Sequence, residues 1–259
     1  GEIAAFVGDN SELTITNDAS ITASGISQQD AKADGYNGGI LAAGANIAHA
    51  ESDLATEAYL GTGVNISAQN LNIQAVGNDN NFAESVSGGG GVVSGRASDS
   101  TTKSKSSAKV RIEDGDAASG NVEIDIAGQL TIKADQTSDF NGKADSVNAS
   151  VVGGSGAYVT NKVNSEATVE IGVDTDNTEN NLVIEAGSVD IDATQTILKA
   201  ELSDASAEAA SGGVADGSAV AGETTIENTT LVSLGDSSTS NGFGTRINTT
   251  GDIDLNAFN

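Results

Sequence analysis

Carboxylates are the commonest titratable groups in this chain. Their most regular spacing is in three loops: Glu113-Asp114-Gly115-Asp116, Asp174-Thr175-Asp176-Asn177-Thr178-Glu179, and the stretch at Asp236. Acidic oxygens at alternate positions, with Asn side chains and backbone carbonyls between them, suit Ca²⁺, a hard cation that takes about six to eight oxygen ligands. Asp114, Asp116, Asp174, Asp176 and Glu179 are the candidate ligands. Solvated turns favour the same residue types for reasons of backbone conformation, and that is the preferred reading. The tandem Gly-Gly-x-Gly-x-Asp repeat of calcium β-rolls is absent. Gly153-Gly154-Ser155-Gly156-Ala157 lacks the Asp, and Gly212-Gly213-Val214-Ala215-Asp216 displaces it.

Five of the 11 basic side chains fall between Arg96 and Arg111, and four of these, Lys103, Lys105, Lys109 and Arg111, share one parity. An anionic glycan could bind such a row, although a solvated face offset by neighbouring acids is the preferred reading. His49 is the only histidine and shares its parity with Glu51 and Asp53, which places it on an outer surface. One His and no Cys leave nothing to build a histidine-based triad or a thiolate metal site. Paired carboxylates on a β-helix face are the machinery of polysaccharide lyases and hydrolases. Those sites also need aromatic platforms and basic groups, whereas here the acids are dispersed, with only 5 Phe, 3 Tyr and no Trp. The expectation is therefore no enzyme, no catalytic residues and no bound cofactor. Phe82, Phe140 and Leu198 follow a shared motif at similar offsets and are expected to stack in a core.

The elements that would carry these residues are unusual. The 259 residues include 32 Gly and no Pro, Cys, Met or Trp, and the net charge is −26. Leu, Ile, Val and Phe make up roughly a fifth of the chain, close to the level at which high charge predicts disorder. The acidity opposes nucleic acid, whose phosphates need clustered Lys and Arg, and it opposes anionic membranes. It suits a soluble extracellular chain. No apolar stretch is long enough to insert in a membrane as a helix.

A repeat removes the case for disorder. The motif apolar-x-apolar-x-Ala occurs at Ala19–Ala23, Leu71–Ala75, Leu130–Ala134, Val189–Ala193 and Ile253–Ala257. Its central residues Ile21, Ile73, Ile132, Ile191 and Leu255 are spaced by 52, 59, 59 and 64 residues (73 − 21, 132 − 73, 191 − 132, 255 − 191). Gly-rich patches follow at Gly38-Gly39, Gly88 to Gly91, Gly153-Gly154 and Gly212-Gly213. A third landmark recurs as Val110-Ile112, Val169-Ile171 and Val232-Leu234. These landmarks divide the chain into the end of a preceding repeat (1–18), repeats at 19–70, 71–129, 130–188 and 189–252, and the start of another (253–259).

Within each repeat the side chains alternate. Ala157, Val159, Val163, Ser165, Ala167, Val169 and Ile171 share one face, and Tyr158, Thr160, Lys162, Asn164, Glu166, Thr168 and Glu170 share the other. Period two over such a length means β-structure with one buried face. A corner or bulge is expected within each run, because strands of about fifteen residues are uncommon. Leu182 and Ile184 lie one residue out of step with Val122, Ile124 and Ile126, which predicts a bulge there. The inward residues are small, so one repeat buries too little apolar area to stand alone, and stacking against neighbours must supply the stability. The reading is an all-β parallel solenoid of about four repeats of roughly 59 residues, uncapped at both ends. The chain then belongs to a longer array or joins copies of itself end to end.

The strings Ser87-Gly88-Gly89-Gly90-Gly91-Val92-Val93-Ser94-Gly95, Val110-Arg111-Ile112-Glu113-Asp114-Gly115 and Leu130-Thr131-Ile132-Lys133-Ala134 resemble those of giant filamentous adhesins. These are the haemagglutinin-like and leukotoxin-like surface proteins of Gram-negative bacteria. The resemblance implies a right-handed parallel β-helix (β-solenoid) and a secreted, cell-surface or biofilm-matrix location. It also implies a stalk that holds distant glycan-binding or toxin domains away from the cell. Its partners would be flanking repeats or copies of itself, with host or matrix glycans met only through those distant domains.

Overall fold

The computed structural model describes residues 1–115, 121–173, 181–199, 206–235 and 244–259. Strands hold 88% of these residues, and there is no helix among them. Eleven strands belong to one hydrogen-bonded sheet, and every pairing is parallel. They are β1 (Glu2–Val7), β2 (Glu12–Thr14), β3 (Ala19–Leu60), β4 (Asn65–Ala68), β5 (Leu71–Glu113), β6 (Val122–Val173), β7 (Leu182–Lys199), β8 (Ala207–Gly212), β9 (Ala215–Leu234), β10 (Thr245–Thr249) and β11 (Ile253–Phe258).

The landmarks pair with one another. Ile21 lies beside Ile73, Ile73 beside Ile132, Ile132 beside Ile191, and Ile191 beside Leu255. Val110 lies beside Val169, which lies beside Val232. Identical stations therefore stack although the intervals differ. The offset is 52 residues between β3 and β5 (71 − 19), 59 between β5 and β6 (130 − 71) and 63 between β6 and β9 (215 − 152). The missing prolines fit this arrangement, since each interior strand donates its N–H groups to a neighbour.

β3, β5 and β6 run for 42, 43 and 52 residues. A straight strand of 43 residues would reach roughly 140 Å at about 3.3 Å per residue, but these strands double back. In β5, Ser98 Oγ donates to Ser87 Oγ at 2.9 Å, Ser100 Oγ to the Ala83 carbonyl at 2.6 Å, and Ser106 Oγ to Asp79 at 2.7 Å. These contacts are centred between Gly91 and Val93, so the Gly-rich patch is the reversal and the two arms face each other through their side chains. Glycine is required there: a Cβ on Gly91 would lie 2.1 Å from the Gly39 carbonyl oxygen, and one on Gly90 would lie 2.3 Å from that of Ala149.

Two landmarks differ from expectation. No bulge interrupts the pairing of β5 with β6 from Val93 to Ile112. The reversal falls in the Gly patch because backbone crowding is tolerated there. The Gly patches share this bend but not one register, as Gly90 faces Ala149 and Gly154 faces Gly95. The Phe82–Phe140–Leu198 stack does not form. The 59-residue offset sets Phe82 beside Asn141 and Phe140 beside Asn81, so the two rings have opposite parity. Phe140 is 3% exposed, whereas Leu198 is 48% exposed and pairs with Asp139.

The slip before the first landmark is a register shift between Ile126 and Gln129 against β7, which keeps Ile124 beside Ile184 with both buried. A second shift follows Ile112, where Ile171 and then Val173 are the partners and Gly172 is the extra residue. Its φ of 73° is a left-handed conformation that glycine adopts without a Cβ penalty.

The main apolar core joins the landmark stations, with Leu60, Ile73, Ile112, Ile132, Ile171 and Ile191 all buried in it. Each such side chain contributes about 1.5–3 kcal/mol by leaving water. Beyond the core, the space between the arms is filled by hydroxyls and amides, including buried Ser85, Ser98, Thr102, Ser138, Asn161 and Ser165, together with two small apolar clusters around Ala83 and Val159.

Candidate functional site

Asp114 is the one Ca²⁺ candidate among the described residues. It is half-buried at the end of β5, with its backbone N–H donating to the Val173 carbonyl at 3.2 Å. Asp116, Asp174, Asp176 and Glu179 lie outside the described residues, as does Asp236. Among the described residues no group of three or more His, Cys, Asp or Glu is placed to hold a metal ion.

The basic row divides by parity. Lys103, Lys105, Lys109 and Arg111 stand on the outer face, while Arg96 points inward, is buried, and donates from Nη2 to the Asn37 carbonyl at 2.7 Å. Acids meet most of the outer row: Lys103 lies 3.8 Å from Glu51, Lys109 2.6 Å from Glu170, and Arg111 3.1 Å from Glu57. His49 is exposed, as its parity predicts, and sits 3.0 Å from Glu51. The hydrogen bond from His49 and the charge of Lys103 lower the Glu51 carboxyl below its ordinary 4.5.

A groove of about 770 Å³ lies on the outer face of β6, β7 and β10. Glu123, Asp125 and Glu185 contribute carboxylates to it, and Arg246 contributes a guanidinium. Asp125 and Glu185 are direct register partners, which brings two like charges together on adjacent strands. An asparagine ladder borders the groove. Asn121 Oδ1 accepts from the Asn181 N–H at 3.3 Å, and Asn181 Oδ1 accepts from the Gly244 N–H at 3.2 Å. Such a surface can exchange hydrogen bonds and counter-ions, and its lining holds no aromatic platform.

A feature missed in the sequence is the buried carboxylate of Asp79. Ser104 and Ser106 donate to its Oδ2, and Asn81 Nδ2 donates to both carboxylate oxygens, at 3.2 and 3.1 Å. Asn81 Nδ2 also reaches Ser52 Oγ at 2.7 Å. Alternation alone could have flagged it, since Asp79 shares the parity of Ile73 and Ala75, both buried.

Among the described residues no helix is long and apolar enough to cross a membrane. No family model matches the chain, and neither the curated proteins nor the solved structures contain a match. The described residues form an all-β protein built on one parallel-strand sheet.

Proposed function

We propose that this chain is a structural stalk segment of a secreted or cell-surface fibrous adhesin or matrix filament, folded as a right-handed parallel β-helix of about four repeats. One observation carries the reading. Every strand pairs in parallel with a strand one repeat away, and equivalent landmarks meet equivalent landmarks. Such a chain is quasi-one-dimensional, because each repeat contacts only its neighbours and length can be added without a new core. Rigidity and reach follow from that design, and a net charge of −26 keeps a long extracellular rod soluble. On this reading the chain has no catalytic role, and ligands such as host or matrix glycans meet the fibre through distant domains.

A second reading is a filament subunit that stacks end to end. The observation that favours it is that every pairing is parallel and equivalent stations meet, a ladder that a second copy could continue by the same pairing. Mass of the native protein separates the two. A product far above 25.7 kDa with further repeats of the same period supports the stalk. A product near that mass that forms filaments supports the subunit. Release of unsaturated or reducing-end sugars by the purified chain would overturn both.

A further inference from the structure

The sheet that leads away from the Gly-rich bend has a mixed inner face, with Ser94, Ser98 and Ser100 of β5 buried against the opposite arm beside Ala48 of β3 and Ala157 and Val159 of β6. Its outer face is made mostly of small and aliphatic side chains, with Asp99 and Tyr158 in its last column. The first outward column is Leu41, Val93, Val152 and Ala215, on the four adjacent strands β3, β5, β6 and β9. The next two columns hold only Ala and Gly, and the fourth begins at Ile47 and ends at Ala221. Of these four-by-four outward positions, Asp99 alone is charged. Leu41 is 81% exposed and Ile47 68%, and Val93 and Val152 are nearly half exposed.

Charge returns directly beyond the fourth column. The following columns bring His49 and Glu223, then Glu51, Lys103 and Lys162. A chain of net charge −26 thus keeps one flat sheet face almost free of charge while leaving its hydrocarbon in water. Soluble monomers rarely expose a contiguous patch of this kind. We propose that this face docks against the same face of a second copy, as an isologous side-by-side pair of sheets.

Three observations fix the occupant as a second copy. Two chains this acidic repel one another, and this face is where they can touch with little like-charge contact. Ala and Gly columns allow two sheets to approach closely, and the flanking Leu41 and Ile47 stand proud enough to pack across the joint. The size is also adequate. Four strands about 4.8 Å apart, each with four outward residues about 6.6 Å apart, give roughly 500 Å² per copy and about 1,000 Å² in total, the lower bound for a specific interface. The pairing is lateral, so it is independent of any stacking through strand edges.

Gly95 and Gly217 lie in this face, and a Cβ at either meets nothing within 4 Å. The double variant Gly95→Glu/Gly217→Glu therefore adds charge to the face without a clash. Sedimentation equilibrium of the whole chain should give a mass approaching twice 25.7 kDa as concentration rises, and added salt should strengthen association by screening the repulsion. The double variant should weaken association by roughly tenfold or more with an unchanged far-ultraviolet spectrum. Gly244→Glu, also in open space but outside the face, should leave it unchanged. A wild-type chain that stays monomeric at every concentration and salt would overturn the proposal. So would a dimer, or a ladder of larger masses, that survives the double variant. Flotation of a monomeric wild type with neutral phosphatidylcholine vesicles would assign the face to lipid and equally overturn it.

Discussion

Lys109 Nζ sits 2.6 Å from the Glu170 carboxylate, on the diagonal, while the residue directly opposite Glu170 in the strand register is Arg111. Arg111 turns the other way. Its guanidinium lies 4.7 Å from the centre of the Tyr59 ring, on the neighbouring strand, and bonds to Glu57 and Glu113. Tyr59 is itself stacked on Phe6 at 4.9 Å. An Arg over an aromatic face gains about 0.5–1 kcal/mol at exposed sites, and the Glu57 carboxylate adds to this, so Arg111 leaves Glu170 to the more flexible lysine.

A double-mutant cycle tests that division. Lys109→Ala with Glu170→Ala should show a coupling of about 0.2–1 kcal/mol in urea unfolding, declining with salt. Arg111→Ala with Glu170→Ala should show coupling indistinguishable from zero. A larger coupling for the Arg111 pair would mean that direct register partners, and not diagonal ones, form the ion pair.

The apolar stations should dominate stability. Ile132 is fully buried between Ile73 and Ile191. Ile132→Ala should cost about 2–5 kcal/mol through lost transfer energy and the cavity left behind. Val152→Ala, on a face exposed in the single chain, should stay within about 0.5 kcal/mol when unfolding is followed at concentrations too low for copies to associate. Comparable losses at the two positions would contradict the assignment of the core.

Gly172 should tolerate no side chain. Its φ is 73°, and an added Cβ would also meet the Thr245 hydroxyl. Gly172→Ala should destabilise by about 1–2 kcal/mol from the left-handed backbone alone, with a further cost from the contact. Gly95→Ala, in open space, should be neutral or slightly stabilising. Chemical denaturation of the two variants side by side decides it.

The buried Asp79 cluster gives a fourth test. Asp79→Ala would take the carboxylate acceptor from the Ser104 and Ser106 hydroxyls and leave Asn81 with Ser52. Each buried polar group so orphaned costs about 1–3 kcal/mol. The measured loss should therefore exceed that of Asp99→Ala, whose side chain stands on the outer face. Hydrogen exchange should loosen first in the arms and not at the Ile73 station.

Alternation made the inner and outer faces legible before any coordinates, because parity is preserved wherever strands stack without a shift. Val110 beside Val169 and Ile73 beside Ile132 follow from that rule. The doubling-back of each strand was not legible, because a reversal that leaves both arms extended keeps the same period-two pattern on either side of it. The mis-assigned Phe82 shows a second limit. Similar offsets from a motif do not fix parity, and one residue decides whether a ring is inside or outside. Nor could the sequence reveal the charge-free outer face. Ala and Gly are too small to signal whether an outward column is covered or bare, and the exposure of Leu41 and Ile47 is what shows it.

The ion pairs that bridge β6 and β7 predict a pH dependence with a definite sign. Lys133 Nζ lies 2.6 Å from Asp192 and 3.0 Å from Asp190. The hydrogen bond to Asp192 is the main cause that raises the Lys133 ammonium above its ordinary 10.5, against partial burial, which works to lower it. For Asp192, burial works to raise the carboxyl, but hydrogen bonds from Lys133 and Asn256 together outweigh it, and the group lies below its ordinary 3.8. A raised lysine contributes stability that is complete below its unfolded value and lost as pH climbs through the folded one. A lowered carboxyl contributes stability that is complete above its unfolded value and lost as pH falls through the folded one. The pair should therefore stabilise the chain between the ordinary values of 3.8 and 10.5 and fade outside them. The contribution should be at most about 1 kcal/mol, since both groups touch solvent. The measurement is the unfolding free energy of wild type minus that of Lys133→Met across the pH range. A difference that persists unchanged well below pH 3.8 would show that the lysine stabilises by packing its methylenes and not through the carboxylates it bridges.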